Sequence, residues 1–447
     1  MDNDFSMRGG GWSAFCLFLL LWFSGPSFAT LSPIDARVIA DSPEDFAQRI
    51  YSYDMAVDSN NDVHVVFSRP TTSGSDQIVY LRRLGSVWQG ERILSNDGLR
   101  TSISTRLEVG EDGAVHVCYV RQSTEDLHYR RIVNGVPDAE LFVSNGGWHT
   151  DMQLDAAGRP MFVRENETWP ERVSKLALLR TTTGLSWQED LIDLPDIPRY
   201  RLADFVFRNG TYHVSFGDSA YRRPVLTGKG STTSKIGTFH NLFYAWSNDG
   251  ISWVRRLVDD SGTLYEDEFW TALAVDGDKP VIGMYKYAEV GGEYNTGTSA
   301  LIAVGSGLDW EKTIIRDEAY EETREGASIA LLVDDPGRYI GAWDYSPDDT
   351  RNSNFRGERG NIALARNGED GAWRQKLQED PFSAEGRIIL EKRGDRLHML
   401  MLGDFVDARL YYREHDLQQV DQELERLSAD FPWNLFLPAI IRASGNR

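Results

Sequence analysis

The fold class this sequence predicts is all-β: a seven-bladed β-propeller of four-stranded antiparallel blades. Two observations predict it. A strand–turn–strand unit recurs along the chain, and several copies close on a Gly-x-x-Trp-like hairpin. The composition agrees, since 40 glycines and 13 tryptophans suit many short strands joined by tight turns.

The unit is clearest in "MAVDSNNDVHVVFSRP" (Met55–Pro70), followed by "IVYLRR" and "GSVWQGERI". It returns in "LEVGEDGAVHVCYVRQ", "MQLDAAGRPMFVRE", "FVFRNGTYHVSFGDS", "LAVDGDKPVIGMYKY", "IALLVDDPGRYIGAWDYS" and "IILEKRGDRLHMLMLGD". The equivalent positions His64, His116, Met161, His213, Val281, Ile340 and His398 recur at roughly 45 to 70 residues, about one blade apart. Alternating residues such as Val63, Val65 and Phe67 would bury one strand face against the next blade. Trp88, Trp187, Trp253, Trp310 and Trp373 would wedge between sheets. A blade cannot bury both faces alone, so the ring must close, and "IDARVIA" (Ile34–Ala40) is expected to add a strand to the last blade. A sandwich array and two smaller propellers are the alternatives.

Around the propeller, expected over 30–416, lie two further segments. Residues 1–29 read as a signal peptide: Arg8 precedes the apolar "WSAFCLFLLLWF", and "GPSFA" ends at Ala29. An uncleaved anchor is the rival reading. The expected location is secreted or periplasmic. Residues 417–447 form a C-terminal extension, with a short helix in "LQQVDQELERL" and an apolar "FPWNLFLPAII". That last stretch is too short to span a bilayer, but could pack under the propeller or touch a membrane.

Removing the leader leaves Cys118 as the sole cysteine, which excludes an intramolecular disulfide and a cysteine-based metal cluster. In "VHVCYV" it reads as core. The net charge of −21 argues against nucleic acid. No metal or cofactor is expected; calcium is conceivable from the Asp-rich turns, yet no loop has its ligand spacing. The chain is expected to be a monomer.

"SNDGISW" (Ser247–Trp253) resembles a degenerate Asp-box, the Ser-x-Asp-x-Gly-x-x-Trp hairpin of sialidase-superfamily propellers, with one residue missing. "GLSW", "GLDW" and "DGAW" keep only its tail. In that superfamily the motif ties its own hairpin, so it marks fold. The resemblance implies a central funnel lined by the start of each innermost strand and by the loop after each second strand.

Residues expected there to bind substrate are Arg106, Trp148, Arg201, Trp270, Arg324 and Arg387. Arginine forks pair bidentately with carboxylates, and tryptophan faces suit sugar rings. The alternative for each arginine is an internal salt bridge. His149 and Tyr200 form a base–acid pair suited to proton abstraction beside a uronate carboxylate. They resemble the arrangement in propeller polysaccharide lyases, where a basic side chain follows the second strand; Arg222 or Arg223 matches it, and His128 matches one additional histidine. The Tyr200–Arg222 interval is longer than in that family. The long polar segment after "YHVSF" reads as a lid or specificity loop. A hydrolytic sialidase fits less well, because the Arg-Ile-Pro start of those enzymes is absent. The function expected is an exported propeller that binds, and can process, a poly- or oligosaccharide; the alternative is a non-catalytic scaffold. The recurring histidines read as shared blade architecture.

Overall fold

A computed structural model describes residues 37–40, 52–70, 76–98, 105–146, 149–168, 173–192, 200–224, 236–259, 271–290, 293–306, 309–317, 329–345, 361–368, 371, 373–378, 387–402 and 410–422. The expected signal peptide and the apolar stretch 431–441 lie outside these residues. Among the described residues no helix is long and apolar enough to cross a membrane.

Seven antiparallel sheets follow one another along the chain. Their innermost strands are Tyr53–Val57, Arg106–Val109, Thr150–Leu154, Tyr200–Arg208, Ala272–Asp276, Ile329–Asp335 and Ile389–Arg393. Each innermost strand touches those of the two neighbouring sheets, and the first touches the seventh. That contact pattern is a closed ring around one axis. Arg37–Ala40 pairs antiparallel with Leu410–Asp416 as the outermost strand of blade 7, so the two ends of the propeller share a sheet.

Two blades depart from four simple strands. In blade 1 the third strand, Asp76–Leu84, pairs with both Val87–Trp88 and Arg92–Gly98; in blade 2, Leu127–Val133 pairs with both Val136–Pro137 and Leu141–Ser144. In each, the outermost strand is broken in two.

Apolar layers between blades hold the ring. One contains Tyr53, Met55, Val65 and Phe67 of blade 1 against Ile389, Leu400 and Tyr412 of blade 7. Others join Val163 and Leu178 to Phe205 and Val214, and Leu242 to Ile282 and Leu301. Val63, Val65 and Phe67 are fully buried, and His64 and Val66 between them are buried as well, so neighbouring blades cover both faces of this strand. Trp88, Trp187, Trp253, Trp310 and Trp373 each pack on one of these layers.

The repeated histidines have a structural explanation. His64, His116, His213 and His398 on second strands each place Nδ1 2.6–2.7 Å from a tyrosine hydroxyl on the third strand of the same blade: Tyr80, Tyr129, Tyr244 and Tyr412. Three of those tyrosines meet the hairpin tryptophan of the following blade edge-on: Tyr129 with Trp187, Tyr244 with Trp310, and Tyr412 with Trp88. The hydrogen bond satisfies two polar groups inside an apolar layer, and the edge contact passes the packing to the next blade.

The Ser247–Trp253 hairpin ties its own backbone. Asp249 Oδ1 accepts from the amides of Ile251 and Ser252 at 2.8 and 2.7 Å, and Ser247 Oγ accepts from Gly250 N. Gly250 has φ 73°, and a Cβ there would stand 2.8 Å from Arg180 Nη1 and Leu178 Cδ2 of blade 3. Glycine is therefore required twice over, by conformation and by space.

The described parts of the expected lid of blade 4 are strand, while 225–235 lie outside the described residues. The blade's second strand runs from Thr211 to Pro224 and its third from Ile236 to Ser247, and the pairing continues past a register shift between Asp218 and Tyr221 out to Pro224↔Ile236. Blade 5 carries a similar ribbon in Lys279–Val290 and Glu293–Ser306, which was not foreseen. Both extend beyond the start of their innermost strands, Tyr200↔Asp218 and Ala272↔Gly283. After Asp416 the chain forms a short helix over 417–422, where Leu417 and Val420 are buried and Asp421 pairs with Arg366.

Candidate functional site

The innermost strands leave an unpaired backbone edge toward the ring axis, and open strand edges need partners. Three aspartates supply them across blade boundaries. Asp54 Oδ2 accepts from Leu107 N at 2.9 Å, Asp151 Oδ2 from Phe205 N at 2.8 Å, and Asp204 Oδ2 from Leu273 N at 2.8 Å. Asp54, Asp151 and Asp204 face Val66, Val163 and Ser215 in register, the same place in each blade; Arg106 occupies it in blade 2, facing Cys118.

Charges accumulate around this axis. Arg106 Nε donates to Asp151 Oδ1 at 2.9 Å, with both groups buried. Arg387 faces Asp54, Asp204 and Asp151, and its carbonyl accepts the Tyr53 hydroxyl at 2.5 Å. Glu108 accepts from Gln153 Nε2 at 2.7 Å. Burial, and then the carboxylates of Glu391, Asp54, Asp151 and Asp204, hold the Glu108 carboxyl well above the usual range. Glu391 is pushed up to about 8, first by burial and then by Asp54. Asp204 is raised by burial and by Asp151, to which it is hydrogen-bonded; burial opposes ionisation of Asp151 too, but Arg106 beside it holds it low. In that pair Asp204 is the more readily protonated and Asp151 the more readily ionised. Arg106 and Arg387 are thus engaged with internal carboxylates. Sequence reasoning missed these acids; their one signal was Asp at the same place in repeats 1, 3 and 4. Cys118 lies buried beneath, its thiol pushed up by burial.

A second group of residues lies at the top face, the end where the innermost strands begin. His149 immediately precedes Thr150–Leu154, and its carbonyl accepts from Glu165 N at 3.0 Å. His149 Nε2 stands 4.0 Å from Glu165 Oε2, with a quarter of the histidine side chain exposed. Tyr200 opens the innermost strand of blade 4, Arg201 follows it, and Arg222 lies on the ribbon paired with Thr238. The backbone therefore brings His149, Tyr200, Arg201 and Arg222 to one end of two adjacent blades. Trp148, Trp270 and Arg324 lie outside the described residues.

Blade 2 adds a cluster at the same end that the sequence only hinted at. His128 pairs in register with Tyr119 and Phe142, next to the loop between second and third strands. Its Nδ1 is 3.0 Å from Glu140 Oε1, and Arg121 Nε is 3.1 Å from the same oxygen. Burial lowers the His128 pKa, with Glu140 opposing. Two imidazoles, two carboxylates and Arg121 thus lie at this end of blades 2 and 3, and the backbone brings Tyr200, Arg201 and Arg222 of blade 4 to the same end. Such a set can move protons and pair with an anion. Among the described residues no group of three or more His, Cys, Asp or Glu side chains is placed to hold a metal ion.

No protein family matches the chain by sequence, and no curated protein resembles it. Solved structures do resemble it in fold. An ulvan lyase of polysaccharide lyase family PL25, bound to -[GlcA(1-4)Rha3S]-, is 12% identical with TM-score 0.52, over 83% of this chain and 95% of that one. Polysaccharide lyase Uly1 is 10% identical with TM-score 0.53, over 82% and 90%. The BP39L lectin from Burkholderia pseudomallei is 12% identical with TM-score 0.55, over 83% and 97%. At these identities the likeness is one of fold, the seven-bladed ring.

Proposed function

We propose that this protein binds a uronate-containing polysaccharide at the top face of blades 2 to 4 and cleaves it by β-elimination. The observation that carries the reading is the gathering of His128, His149, Tyr200 and Arg222 at one end of three adjacent blades. Similarity of fold to two polysaccharide lyases supports it.

The chemistry needs three groups. A cation must neutralise the uronate carboxylate so that the adjacent C5 proton becomes acidic. A base takes that proton, and the electron pair forms the C4–C5 double bond as the C4–O4 bond breaks. An acid then protonates the departing oxygen. Arg222 on the ribbon is assigned the carboxylate, with Arg201 at the start of the innermost strand of the same blade as a second cation. The base is a neutral histidine: His149, or His128 at the same end of the neighbouring blade. Tyr200 is the acid. Arg106 and Arg387 serve the axial ion network rather than the substrate.

Purified protein incubated with acidic and neutral polysaccharides tests this. Elimination raises unsaturated-uronate absorbance and reducing ends together. Reducing ends alone would indicate hydrolysis, and neither signal on any acidic polysaccharide would remove the lyase reading. A second reading, binding without cleavage, is favoured by the fold likeness to the BP39L lectin; retained binding with no product would establish it.

A further inference from the structure

Glu140 immediately precedes Leu141–Ser144 in blade 2, and four side chains from two strands and a turn converge on it. The Tyr119 hydroxyl donates to Oε2 at 2.5 Å. Arg121 and Arg130 approach at 3.1 and 3.8 Å, and His128 Nδ1 at 3.0 Å. The His128 ring stacks on Tyr119, with centroids 6.3 Å apart at 17°, and meets Phe142 edge-on at 6.0 Å and 79°. The imidazole is thus held from both sides with Nδ1 beside the carboxylate, at ion-pair distance but not aligned as a hydrogen bond, so Glu140 acts on it through its charge. Its Nε2 meets no hydrogen-bonding partner among the described residues.

A carboxylate beside one ring nitrogen favours the tautomer with the proton there, which leaves the other nitrogen as the base. The remaining charges facing His128 are Arg121, which opposes protonation, and Asp126 and Asp97, which favour it. Glu140 is nearest of all, and its second oxygen is occupied by Tyr119, so its position is fixed. Resting on the lyase reading above, we infer that Glu140 is a positioning residue that keeps the His128 proton on Nδ1 and presents Nε2 as the basic nitrogen to substrate at the top face.

The test compares wild type, Glu140→Gln and Tyr119→Phe in two measurements: the pH profile of kcat/KM on an acidic polysaccharide, and the His128 titration followed by NMR. Glu140→Gln keeps an oxygen for Tyr119 but removes the charge that favours imidazolium. It is expected to lower kcat/KM roughly 10- to 100-fold. The acidic limb of the profile and the NMR titration are expected to move together to lower pH. Tyr119→Phe loosens the hold on Glu140 but keeps its charge beside His128, and is expected to shift both in the same direction but by less than Glu140→Gln.

If Glu140→Gln lowers activity while neither the limb nor the titration moves, Glu140 is merely structural and the inference is overturned. A Glu140→Gln protein as active as wild type overturns it equally. If wild type itself gives no unsaturated product, the lyase reading falls and takes the catalytic role of Glu140 with it. The NMR shift, still measurable, tells that failure from a failure of the His128–Glu140 relationship.

Discussion

Asp54 of blade 1 closes the open edge of blade 2: its Oδ2 accepts the backbone N–H of Leu107 at 2.9 Å. Both residues are buried. Asp54→Ala leaves that amide without a partner, a loss of about 1–3 kcal/mol. Asp54→Asn keeps a carbonyl acceptor and should cost less. Urea denaturation checks both; an Asp54→Ala protein as stable as wild type would mean the carboxylate contributes nothing across the blade boundary.

The His–Tyr pairs give a second expectation. Burial lowers His116, His213 and His398 to about 4, against an unfolded value of 6.5. A depressed pKa means the unfolded chain binds more protons, so these groups' contribution is complete above about 6.5 and is lost as pH falls to about 4. The slope is about 1.4 kcal/mol per pH unit for each histidine. Replacing His213 by Gln, which keeps an oxygen for the Tyr244 hydroxyl, should reduce that slope. Parallel pH–stability curves for the two proteins would contradict the assignment.

Glu391 acts in the opposite direction. Its folded pKa of about 8 lies above the ordinary 4.5, so the native state holds a proton that the unfolded chain releases. Its favourable term is complete below 4.5, erodes as pH rises, and is gone above about 8. Glu391→Gln cannot ionise, so its advantage over wild type should grow between those limits and then level off. Denaturation midpoints measured from pH 5 to 9 check this. A constant difference would show that Glu391 is ionised throughout.

Much of the ring was legible because a repeat constrains it. The Val63, Val65 and Phe67 alternation, the hairpin tryptophans and the closing strand at Arg37–Ala40 all follow from burying two faces of every blade. The shared role of His64, His116, His213 and His398 was legible for the same reason, since four copies at one repeat position mark architecture. The site was harder. Arg106 looked like a substrate clamp because its partner Asp151 lies 45 residues away, a pairing only ring closure makes. Glu140 was invisible as a partner of His128, because the broken outer strand of blade 2 decides which acid faces that ring. The ribbon past Asp218 read as a loop because its polar residues lack the alternation of a half-buried strand.

The hairpin at Asp249 offers a local check. Its carboxylate is held below the ordinary range chiefly by the amides of Ser252 and Ile251. Asp249→Ala should speed hydrogen exchange at both amides while leaving the buried Leu242 amide protected. Unchanged exchange at Ile251 and Ser252 would show that the side chain does not order the turn.

The claim at the centre of this account is that the ring gathers His128, His149, Tyr200 and Arg222 into one substrate site. A crystal structure with a uronate oligosaccharide, cocrystallised with a Tyr200→Phe protein that lacks the assigned acid, tests it most directly. The expected result is sugar lying over the top of blades 2 to 4, with a uronate carboxylate against Arg222 and Nε2 of His128 facing the ring that bears the C5 proton. Sugar bound on the outer strands, or on the opposite face, would contradict it.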